Sequence, residues 1–359
     1  NGQKPQRDAR QFIRVVSVED LGRVEMTYCF TEPKTSRGTF NGIVTGNSEI
    51  VLRSKQFCNL TEVVVRPDDT LENLKRKVRI AAILGTLQAT LTNFRYLSKE
   101  WKKNTEEEAL LGVSLTGIMD HPVLSGRTPG PRGKEKHLPS LLGELKGVAI
   151  ETNKEWAARL GCNPSAAITC VKPSGTVSQL VDSASGIHPR YSSYYIRTVR
   201  TDKKDPLYSF LKDQGIPVED AIGKEGSTAV FSFPMKAPDG SVMRDDMTAI
   251  EQLELWKVYA EHWCEHKPSI TVYVREHEWL EVGAWVYKHF DILSGVSFLP
   301  YSNHVYKQAP YQEITKEEYE RLVEAMPKTI DWTKLSEYET SDMTTGSQEL
   351  ACVSGICEL

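Results

Sequence analysis

The chain has 359 residues, of which 40% are hydrophobic, enough to bury a large core in one large domain or two smaller ones. Its formal net charge of −4 and its isoelectric point of about 6.1 argue against a general binder of nucleic acids or of membrane surfaces. No run of eighteen apolar residues is present, so the sequence predicts no transmembrane helix.

The first residues and the cysteines bear on the cellular compartment. The chain opens at Asn1 without the pattern of a signal peptide, and because it lacks an initiating methionine we expect it to be a piece of a longer protein. Its seven cysteines are scattered and odd in number, which favours the reducing cytoplasm over a secreted disulfide scaffold.

The first 47 residues are predicted to be all β. They contain short runs rich in β-branched and aromatic residues, bounded by turn signals. The predicted strands are Ile13–Val18, Val24–Phe30 and Phe40–Val44, with turns at Glu32–Lys34 and Asn41-Gly42.

From Thr70 onward, helices are predicted to alternate with short apolar runs. Apolar residues recur about every 3.6 positions between Leu71 and Asn93, which predicts a long and mostly buried helix. Two further helices are predicted at Pro139–Arg159, with Ser140 as its N-cap, and at Met247–His262. This alternation predicts an α/β barrel or sheet. The predicted strands are Ala166–Val171, Ala229–Phe233, Ser269–Val274 and Val296–Leu299.

A segment with the chemistry of self-splicing ends the all-β part, where Asn47 precedes Ser48. The amide of Asn47 can attack its own backbone carbonyl and break the bond to Ser48, whose hydroxyl can first accept the upstream acyl group as an ester. The run from Phe40 to Asn47 resembles the C-terminal end of an intein. It differs in having Gly46 where inteins typically have histidine, and residues 1–47 contain no histidine. An ordinary β-hairpin is the alternative interpretation.

The residues after this junction resemble a different family. The stretches Ser48–Leu52 and Gln56–Val63 are similar to the active-site region of ribonucleotide reductases, most closely the monomeric, adenosylcobalamin-dependent (class II) form. In that family an uninterrupted chain reads Asn-Pro-Cys-Ser-Glu-Ile, and inteins are known between the Cys and the Ser. Here the intein-like segment stands in place of Asn-Pro-Cys. The two resemblances therefore meet at one bond, between Asn47 and Ser48.

Three further segments match the same family, so that the resemblance covers residues 48–359. Lys172–Gln179 resembles its substrate-phosphate loop, in which backbone N–H groups and hydroxyls bind an anion. Gly186–Arg190 follows that loop, as it does in the family. At the C-terminus, Cys352 and Cys357 stand where the family keeps a dithiol that exchanges with the active-site disulfide.

The resemblance implies a thiyl-radical reduction of ribonucleotides, expected to be triphosphates, with adenosylcobalamin as cofactor. Glu49 takes the part of the general base on the 3′-hydroxyl, and Cys58 that of one reducing thiol. The radical cysteine and the partner of Cys58 belong to an N-terminal half outside this chain, and a thioredoxin-like protein recharges Cys352 and Cys357. The residues implied in phosphate binding are Pro173, Ser174, Gly175, Thr176, Val177 and Ser178. The residues implied in splicing are Gly46, Asn47 and Ser48.

Without the resemblance, these side chains have plainer interpretations. Glu49 could be an ordinary surface acid and Cys58 a small buried hydrophobe. The spacing of His262 and His266 is conceivable for a metal site, but exposed helix polarity is the preferred interpretation, and no metal is predicted. Three cysteines match no motif and are predicted to lie in the core: Cys162, Cys170 and Cys264. Cys29, on an intein-like strand, is predicted to be structural.

The sequence therefore predicts three segments. An all-β, Hint-type intein fragment (1–47) precedes the C-terminal half of a ten-stranded α/β barrel (48–335), and a flexible tail carries the dithiol (336–359). The isolated chain is expected to be inactive until it is spliced to, or associates with, an N-terminal half. Two alternatives remain: a splicing module whose reductase part is incompetent cargo, and a decayed intein that no longer splices.

Overall fold

The computed structural model describes two short strands at 37–40 and 43–46, residue 50, and residues 52–127, 138–301 and 307–339. Several sequence predictions fall outside these residues and stay predictions. They are the strands at 13–18 and 24–30, Cys29, the junction at Asn47 and Ser48, Glu49, and the tail cysteines Cys352 and Cys357.

Strands and helices alternate along the described chain, and none of its helices is both long enough and apolar enough to cross a membrane. The strands are β1 (Arg37–Phe40), β2 (Ile43–Gly46), β3 (Asn59–Val64), β4 (Leu111–Thr116), β5 (Tyr194–Asp202), β6 (Val218–Asp220), β7 (Thr228–Lys236), β8 (Ile270–Val274), β9 (Val296–Pro300) and β10 (Tyr311–Glu313). The helices are α1 (Leu71–Ala89), α2 (Lys99–Glu108), α3 (Leu138–Leu160), α4 (Gly175–Leu180), α5 (Pro206–Asp213), α6 (Ala249–His262), α7 (Trp279–Lys288), α8 (Lys316–Ala325) and α9 (Leu335–Tyr338).

Strands β1 and β2 form an antiparallel hairpin. Phe40 pairs with Ile43, so only Asn41 and Gly42 connect the two strands. Asn-Gly is the favoured pair for such a two-residue connection, but both residues lie outside the described ones, so the predicted turn stays a prediction. A hairpin is common to the intein-like and the ordinary interpretation, so it does not separate them.

The described residues form two compact units. The first contains the described residues up to Pro189 together with Gly240–Val242 and Asp246–Tyr301. The second contains Arg190–Asp239, Met243–Asp245 and the described residues after 306. The region that the sequence assigns to one domain, 48–335, is thus divided between the two units.

The first unit is built on parallel strands covered by helices. β3 pairs with β4 and β8 pairs with β9, both in parallel. Segment 166–171 runs between these pairs. Thr169 bridges it to β4 through Val113, and Val171 bridges it to the start of β8 through Pro268. Five parallel segments therefore lie side by side in the order β3, β4, 166–171, β8, β9. This agrees with the predicted α/β architecture, although no strand of the described residues closes it into a barrel.

The middle segment of this sheet is predicted as a regular strand, but it is paired only at isolated positions. The carbonyl of Thr169 accepts the N–H groups of Glu265 and His266 at 3.0 Å each. These two residues lie in the loop from α6 to β8. The indole N–H of Trp263 donates to the carbonyl of Cys170 at 2.8 Å. The loop and the indole thus supply hydrogen bonds that a neighbouring strand would otherwise supply.

Helix α1 packs against β3, β4 and α3. Its N-cap is Thr70, whose hydroxyl accepts the N–H of Asn73 at 3.2 Å. The helix ends at Ala89, before the predicted end at Asn93. The reason is local, because the N–H and the hydroxyl of Thr90 both donate to the carbonyl of Leu87.

Only one face of α1 is buried, so the prediction of a mostly buried helix is wrong. Leu74 and Val78 are enclosed, whereas Ile80 is 47%, Leu84 is 52% and Leu91, just beyond the helix, is 73% exposed. A helix lying on a sheet buries the stripe that faces the sheet. In α1 the apolar residues extend beyond that stripe.

The other two predicted helices are present with shifted starts. α3 begins at Leu138, so Ser140 lies inside its first turn and is not the N-cap. α6 begins after Thr248, two residues later than predicted. The Thr248 hydroxyl accepts the N–H of Glu251 at 3.2 Å, and the Glu251 carboxylate accepts the N–H of Thr248 at 2.8 Å. This reciprocal pair of hydrogen bonds is a capping box, which fixes where the helix begins.

The second unit is built on an antiparallel sheet with the strand order β10, β5, β7, β6. β5 and β7 pair along their whole length, from Tyr194 opposite Lys236 to Asp202 opposite Thr228. The sequence predicts only part of β7 and misses β5. The core of this unit is formed by Phe210, Leu211, Ile216 and Phe231.

A stack of rings and guanidinium groups covers part of this sheet. The guanidinium of Arg197 lies 4.4 Å from the ring centre of Tyr311, which in turn stacks on Tyr191 at 5.4 Å. Arg244 closes the stack 4.0 Å above Tyr191. Burial raises the pKa of Tyr311, and the charge of Arg197 offsets part of the rise. Each cation–π contact stabilises the unit by about 0.5–2 kcal/mol.

A buried carboxylate joins two loops of the first unit. Asp120 is 3% exposed. One of its oxygens accepts the N–H of Ala184 at 2.7 Å, and the other accepts the hydroxyl of Ser241 at 2.8 Å. Buried donors of this kind contribute to stability only while their acceptor is present.

We expect Asp120→Ala to lower the free energy of unfolding by about 2–4 kcal/mol, because two buried donors lose their acceptor. Urea unfolding of the full chain measures this change. Asp68→Ala, at an exposed position of the same unit, is the matched control and should change the free energy by less than about 0.5 kcal/mol. Equal effects of the two substitutions would contradict the role given to Asp120.

Candidate active site

Strands β3 and β4 present two chemically different faces. A Cβ placed on Gly85 of α1 would lie 2.9 Å from Leu111 and 3.7 Å from Thr61, so these two side chains face the helix. Because side chains alternate along a strand, their neighbours lie on the opposite face. That opposite face is called the inner face below. It carries Leu60 paired with Gly112 and Glu62 paired with Ser114.

Gly112 allows a close approach on the inner face. A Cβ at this position would lie 2.3 Å from Leu60, 3.2 Å from Ile50 and 3.3 Å from the sulfur of Cys170. Ile50 is only 6% exposed, and it directly follows Glu49 in the sequence. The chain that continues from the Asn47–Ser48 junction is therefore anchored on the inner face within two residues of Ser48.

Cys58 directly precedes β3, and the backbone on both sides of it is held. The N–H of Phe57 donates to the hydroxyl of Thr105 at 3.2 Å, and the N–H of Asn59 donates to the carbonyl of Leu110 at 2.9 Å. Cys58 itself is partly exposed. The backbone position of Cys58 directly before the strand is therefore fixed, and the residue as a whole is partly open to solvent.

The other described cysteines provide a contrast. Cys170 and Cys264 are buried, as predicted, and burial raises the pKa of the Cys264 thiol. Cys162 is predicted to lie in the core, but it is partly exposed because it follows the last turn of α3. Cys170 and Cys264 are therefore buried, as a small core residue would be, whereas Cys58 is not.

The segment 172–178 meets the inner face at Ser114 and Glu62. The N–H of Lys172 donates to the Ser114 hydroxyl at 3.0 Å. The hydroxyl of Ser174 donates to the carboxylate of Glu62 at 2.5 Å, while its N–H donates to the hydroxyl of Ser185 at 2.8 Å. Three polar side chains that are far apart in the sequence are therefore brought together.

Of the remaining residues implied in phosphate binding, Pro173 precedes α4, and Gly175, Thr176, Val177 and Ser178 lie in its first turn. Gly175 begins this helix, which ends at Leu180. Ser178 is 1% exposed, and its hydroxyl donates back to the carbonyl of Gly175 at 3.3 Å. Ser178 therefore has no open side for a ligand in this arrangement, whereas Thr176 and Val177 are more accessible.

Glu62 is a residue of this site that sequence reasoning missed. Burial raises the pKa of its carboxyl, and the hydrogen bond from Ser174 and the charge of Lys172 offset part of that rise. A signal was available, since a carboxylate in a strand segment four residues after Cys58 calls for a polar partner. The identity of that partner depends on the pairing with β4 and could not be obtained from the sequence.

Two residues of the Gly186–Arg190 motif, Gly186 and His188, hold loops of the first unit beside the segment 172–178. Gly186 has φ of +52°, and a Cβ there would lie 2.4 Å from the carbonyl oxygen of Lys172. His188 is held at both ring nitrogens. Its Nε2 accepts the N–H of Thr271 at 2.9 Å, so its Nδ1 carries the proton and donates to the carbonyl of Ser185 at 2.8 Å. This motif therefore has a structural part to play beside the candidate site.

The histidine spacing in and after α6 does not produce a metal site. Nε2 of His266 lies 2.7 Å from the carbonyl oxygen of Leu111, to which it donates. His262 lies beside Glu261 on the helix surface. Within the described ranges, no group of three or more His, Cys, Asp or Glu side chains could hold a metal ion.

The environment of His188 predicts a pH-dependent stability. Burial lowers the pKa of its imidazole below the ordinary value, so the neutral ring is the form that the folded chain favours. Its contribution is complete above the unfolded pKa of about 6.5 and is lost as the pH falls below that value. We expect urea unfolding to show a smaller loss of stability on acidification in His188→Gln than in the unchanged chain. His277→Gln, at an exposed position, should keep the full loss, and a full loss in His188→Gln would contradict this account.

Comparison with known proteins identifies relatives of the chain. No protein-family model matches it. It is 29% identical over 300 residues to the adenosylcobalamin-dependent ribonucleoside-triphosphate reductase of Lactobacillus gasseri, an alignment that covers 76% of this chain and 39% of the relative. Proteins of the same name from Euglena gracilis and Lactobacillus leichmannii are 29% identical over 284 residues and 30% identical over 304 residues. These alignments cover 78% and 79% of this chain and 37% and 41% of the relatives.

The chain thus spans about 40% of the length of the curated relatives it matches. A crystal structure of a B12-dependent (class II) ribonucleotide reductase is similar with a TM-score of 0.67 at 24% identity, covering 82% of this chain and 43% of that chain. The structural likeness shows a shared fold, and the sequence likeness shows common ancestry. Over most of its length, the chain is homologous to adenosylcobalamin-dependent ribonucleoside-triphosphate reductases.

Proposed function

We propose that the residues from Ser48 onward form the C-terminal part of an adenosylcobalamin-dependent ribonucleoside-triphosphate reductase, which acts once it is joined to an N-terminal part. The layout of the inner face supports this proposal. Cys58 lies at the start of β3, and the contact between Glu62 and Ser174 lies four residues further on, about 13 Å away at 3.3 Å per residue. A nucleotide can lie along this strand with its ribose near the thiol and its phosphates near Ser174.

In this proposal, Cys58 supplies one of the two thiols that reduce the ribose. The two thiols give up two electrons and two protons and become a disulfide, the C2′–O bond breaks, and the oxygen leaves as water. The second thiol comes from the N-terminal part. Cys352 and Cys357 then reduce the disulfide by exchange and are recharged by a thioredoxin-like protein. The partial exposure of Cys58 supports such an exchange, which requires access.

Glu49 is the proposed general base on the 3′-hydroxyl of the substrate. A general base must lie within hydrogen-bond reach of the proton that it removes. The packing of Ile50 against Gly112 supports this role. Ile50 directly follows Glu49 and is held on the inner face. In the joined protein, the radical cysteine would directly precede Ser48, so the radical cysteine and the base Glu49 would lie two positions apart.

The proposed phosphate contacts are made within the segment from Pro173 to Ser178, in which the hydroxyl of Ser178 is turned back to Gly175. Ser174 provides a hydroxyl at the inner face, and Lys172 provides a positive charge close to Glu62. Backbone N–H groups in such a turn are suited to bind anions. The triphosphate form of the substrate is carried over from the names of the relatives.

Adenosylcobalamin would supply the radical that starts the reaction. Two grooves in the described part of the first unit, one at residues 90–102 and one along β3, have volumes of about 380 and 510 Å³. In this proposal, the residues of this chain are given roles on the substrate alone.

Protein splicing at the Asn47–Ser48 bond is the proposed route by which the two parts are joined. The order of the residues supports it, because the intein-like run ends where the reductase-like run begins. The lack of histidine in residues 1–47 favours one rival, a decayed intein that leaves a stable fusion. A splicing module with incompetent reductase cargo is the other rival.

Coexpression with an N-terminal intein–reductase piece tests the splicing step. We expect the intact mass of the product to equal the two reductase parts joined, without residues 1–47. Asn47→Ala should abolish that product, because the side-chain amide that cleaves the bond is absent. A chain that keeps its 40.4 kDa in both cases would contradict splicing and support the decayed intein.

Turnover of the joined protein tests the reductase proposal. With adenosylcobalamin and a reducing dithiol, it should convert a ribonucleoside triphosphate to the deoxyribonucleotide. Cys58→Ser should lower kcat by at least about a thousandfold, since a residue that takes part in the chemistry is lost. Cys162→Ser is the matched control, at another partly exposed cysteine, and should leave kcat unchanged. A joined protein without activity would support the cargo alternative, and turnover by the isolated chain would contradict the need for an N-terminal part.

A further inference from the structure

A carboxylate occupies the place where the proposed function requires a phosphate. The hydroxyl of Ser174 donates to Glu62 at 2.5 Å, and Ser174 is 6% exposed. A serine hydroxyl has only one proton to donate. While Glu62 accepts that proton, Ser174 cannot donate it to a phosphate oxygen.

The surroundings of Glu62 decide what an arriving anion would meet. Ser114 faces the carboxylate from β4, and Lys172 and Ser174 face it from the loop. In the groove between β3 and α1, Arg66 and Lys77 are the further charged groups.

Both of these further cations have partners of their own. Lys77 pairs with Asp69 at 2.5 Å and donates to the carbonyl of Val64 at 2.9 Å. Arg66 donates to the carbonyls of Asp182 and Val181 at 2.8 and 2.6 Å. Lys172 is therefore the cation that acts on Glu62 most directly among the described residues.

We propose that Glu62 is a positioning residue that competes with the substrate phosphate for the Ser174 hydroxyl, and so sets the affinity of the loop for the nucleotide. The inference rests on the proposed function for the assignment of the loop, and it adds a residue that the family resemblance does not name. Without a ligand, the carboxylate holds Ser174 in place. With a ligand, the carboxylate must release the hydroxyl and then lies close to a second anion.

This competition couples phosphate binding to protonation. Two anions close together repel each other, and the repulsion is relieved if Glu62 takes up a proton from solvent. Burial already raises the pKa of Glu62 in the ligand-free chain, which makes this uptake easier. The loop should therefore bind anions more tightly as the pH falls, and a neutral side chain at position 62 should remove that dependence.

Titration calorimetry of the full chain with inorganic tripolyphosphate tests the proposal. At about pH 8, where a carboxylate is ionised, we expect Glu62→Gln to bind tripolyphosphate about tenfold more tightly than the unchanged chain. At about pH 5.5 the difference should shrink, because Glu62 is then more often neutral. Equal or weaker binding by the Glu62→Gln variant at the higher pH would overturn the proposal.

Three variants make the test specific. Ser174→Ala should reduce the difference in binding between Glu62 and Gln at position 62, because the contested hydroxyl is absent and only the repulsion between the carboxylate and the phosphate remains. Glu72→Gln, at a side chain that is 80% exposed and paired with Lys75 at 2.9 Å, should bind like the unchanged chain.

If Glu62→Gln does not fold, the unchanged chain is compared with Ser174→Ala across the same pH range. Acidification should then tighten binding more in the unchanged chain, and an equal gain in both would overturn the proposal. The ionisation of tripolyphosphate is common to both proteins and cancels.

The outcome also separates this inference from the proposed function. Absence of tripolyphosphate binding by both the unchanged chain and Glu62→Gln would overturn the inference, even if the joined protein reduces ribonucleotides. Binding with the expected pH dependence would support the inference, even if the joined protein fails to reduce them.

Discussion

The parallel register between β3 and β4 is the constraint on which the candidate site depends. It places Leu60 beside Gly112 and Glu62 beside Ser114. A slip of one residue would turn Glu62 toward α1 and bring Thr61 to the inner face, since side chains alternate along a strand. The absence of a side chain at Gly112 fixes this register, because Leu60 and Ile50 fill the space that a Cβ atom would need.

Polar groups hold the loops that complete this face. Asp120 joins the loop at Ala184 to Ser241, and Thr169 donates its hydroxyl to the carbonyl of Trp263 at 2.5 Å. Buried polar groups stabilise a structure only when they are satisfied. The segments that carry Ser174 and Gly186 are therefore placed by hydrogen bonds to neighbouring loops as much as by strand pairing. This explains how an irregular middle segment can support an ordered site.

The sequence predicts the long elements of this chain better than their ends or their partners. Helices α1, α3 and α6 have a strong helical period, and all three are present. Their boundaries depend on single capping groups such as Thr248, which the apolar pattern does not reveal. Segment 166–171 has the composition of a strand, but the hydrogen bonds that interrupt its pairing come from residues about 95 positions later. β5 was missed because its alternation is carried by tyrosine, arginine and threonine as well as by apolar residues.

At the candidate site, too, the sequence predicts what local motifs mark and misses what depends on contacts between distant residues. Cys58 and the segment 172–178 were found through motifs, which are local. Glu62 was not, because its significance lies in a contact with Ser174, 112 positions away. Glu49 and the tail cysteines lie outside the described residues, so their roles remain proposals.

The exposed apolar side chains of α1 have a consequence for the chain in a cell. Ile80 and Leu84 stand open beside β3, and no strand of the described residues pairs with the outer edge of that strand. Open strand edges and apolar patches are the surfaces that chaperones bind and through which chains aggregate. Chaperones and proteases act continuously on chains that expose such surfaces. Synthesis of this chain with α1 uncovered would therefore favour aggregation or proteolysis.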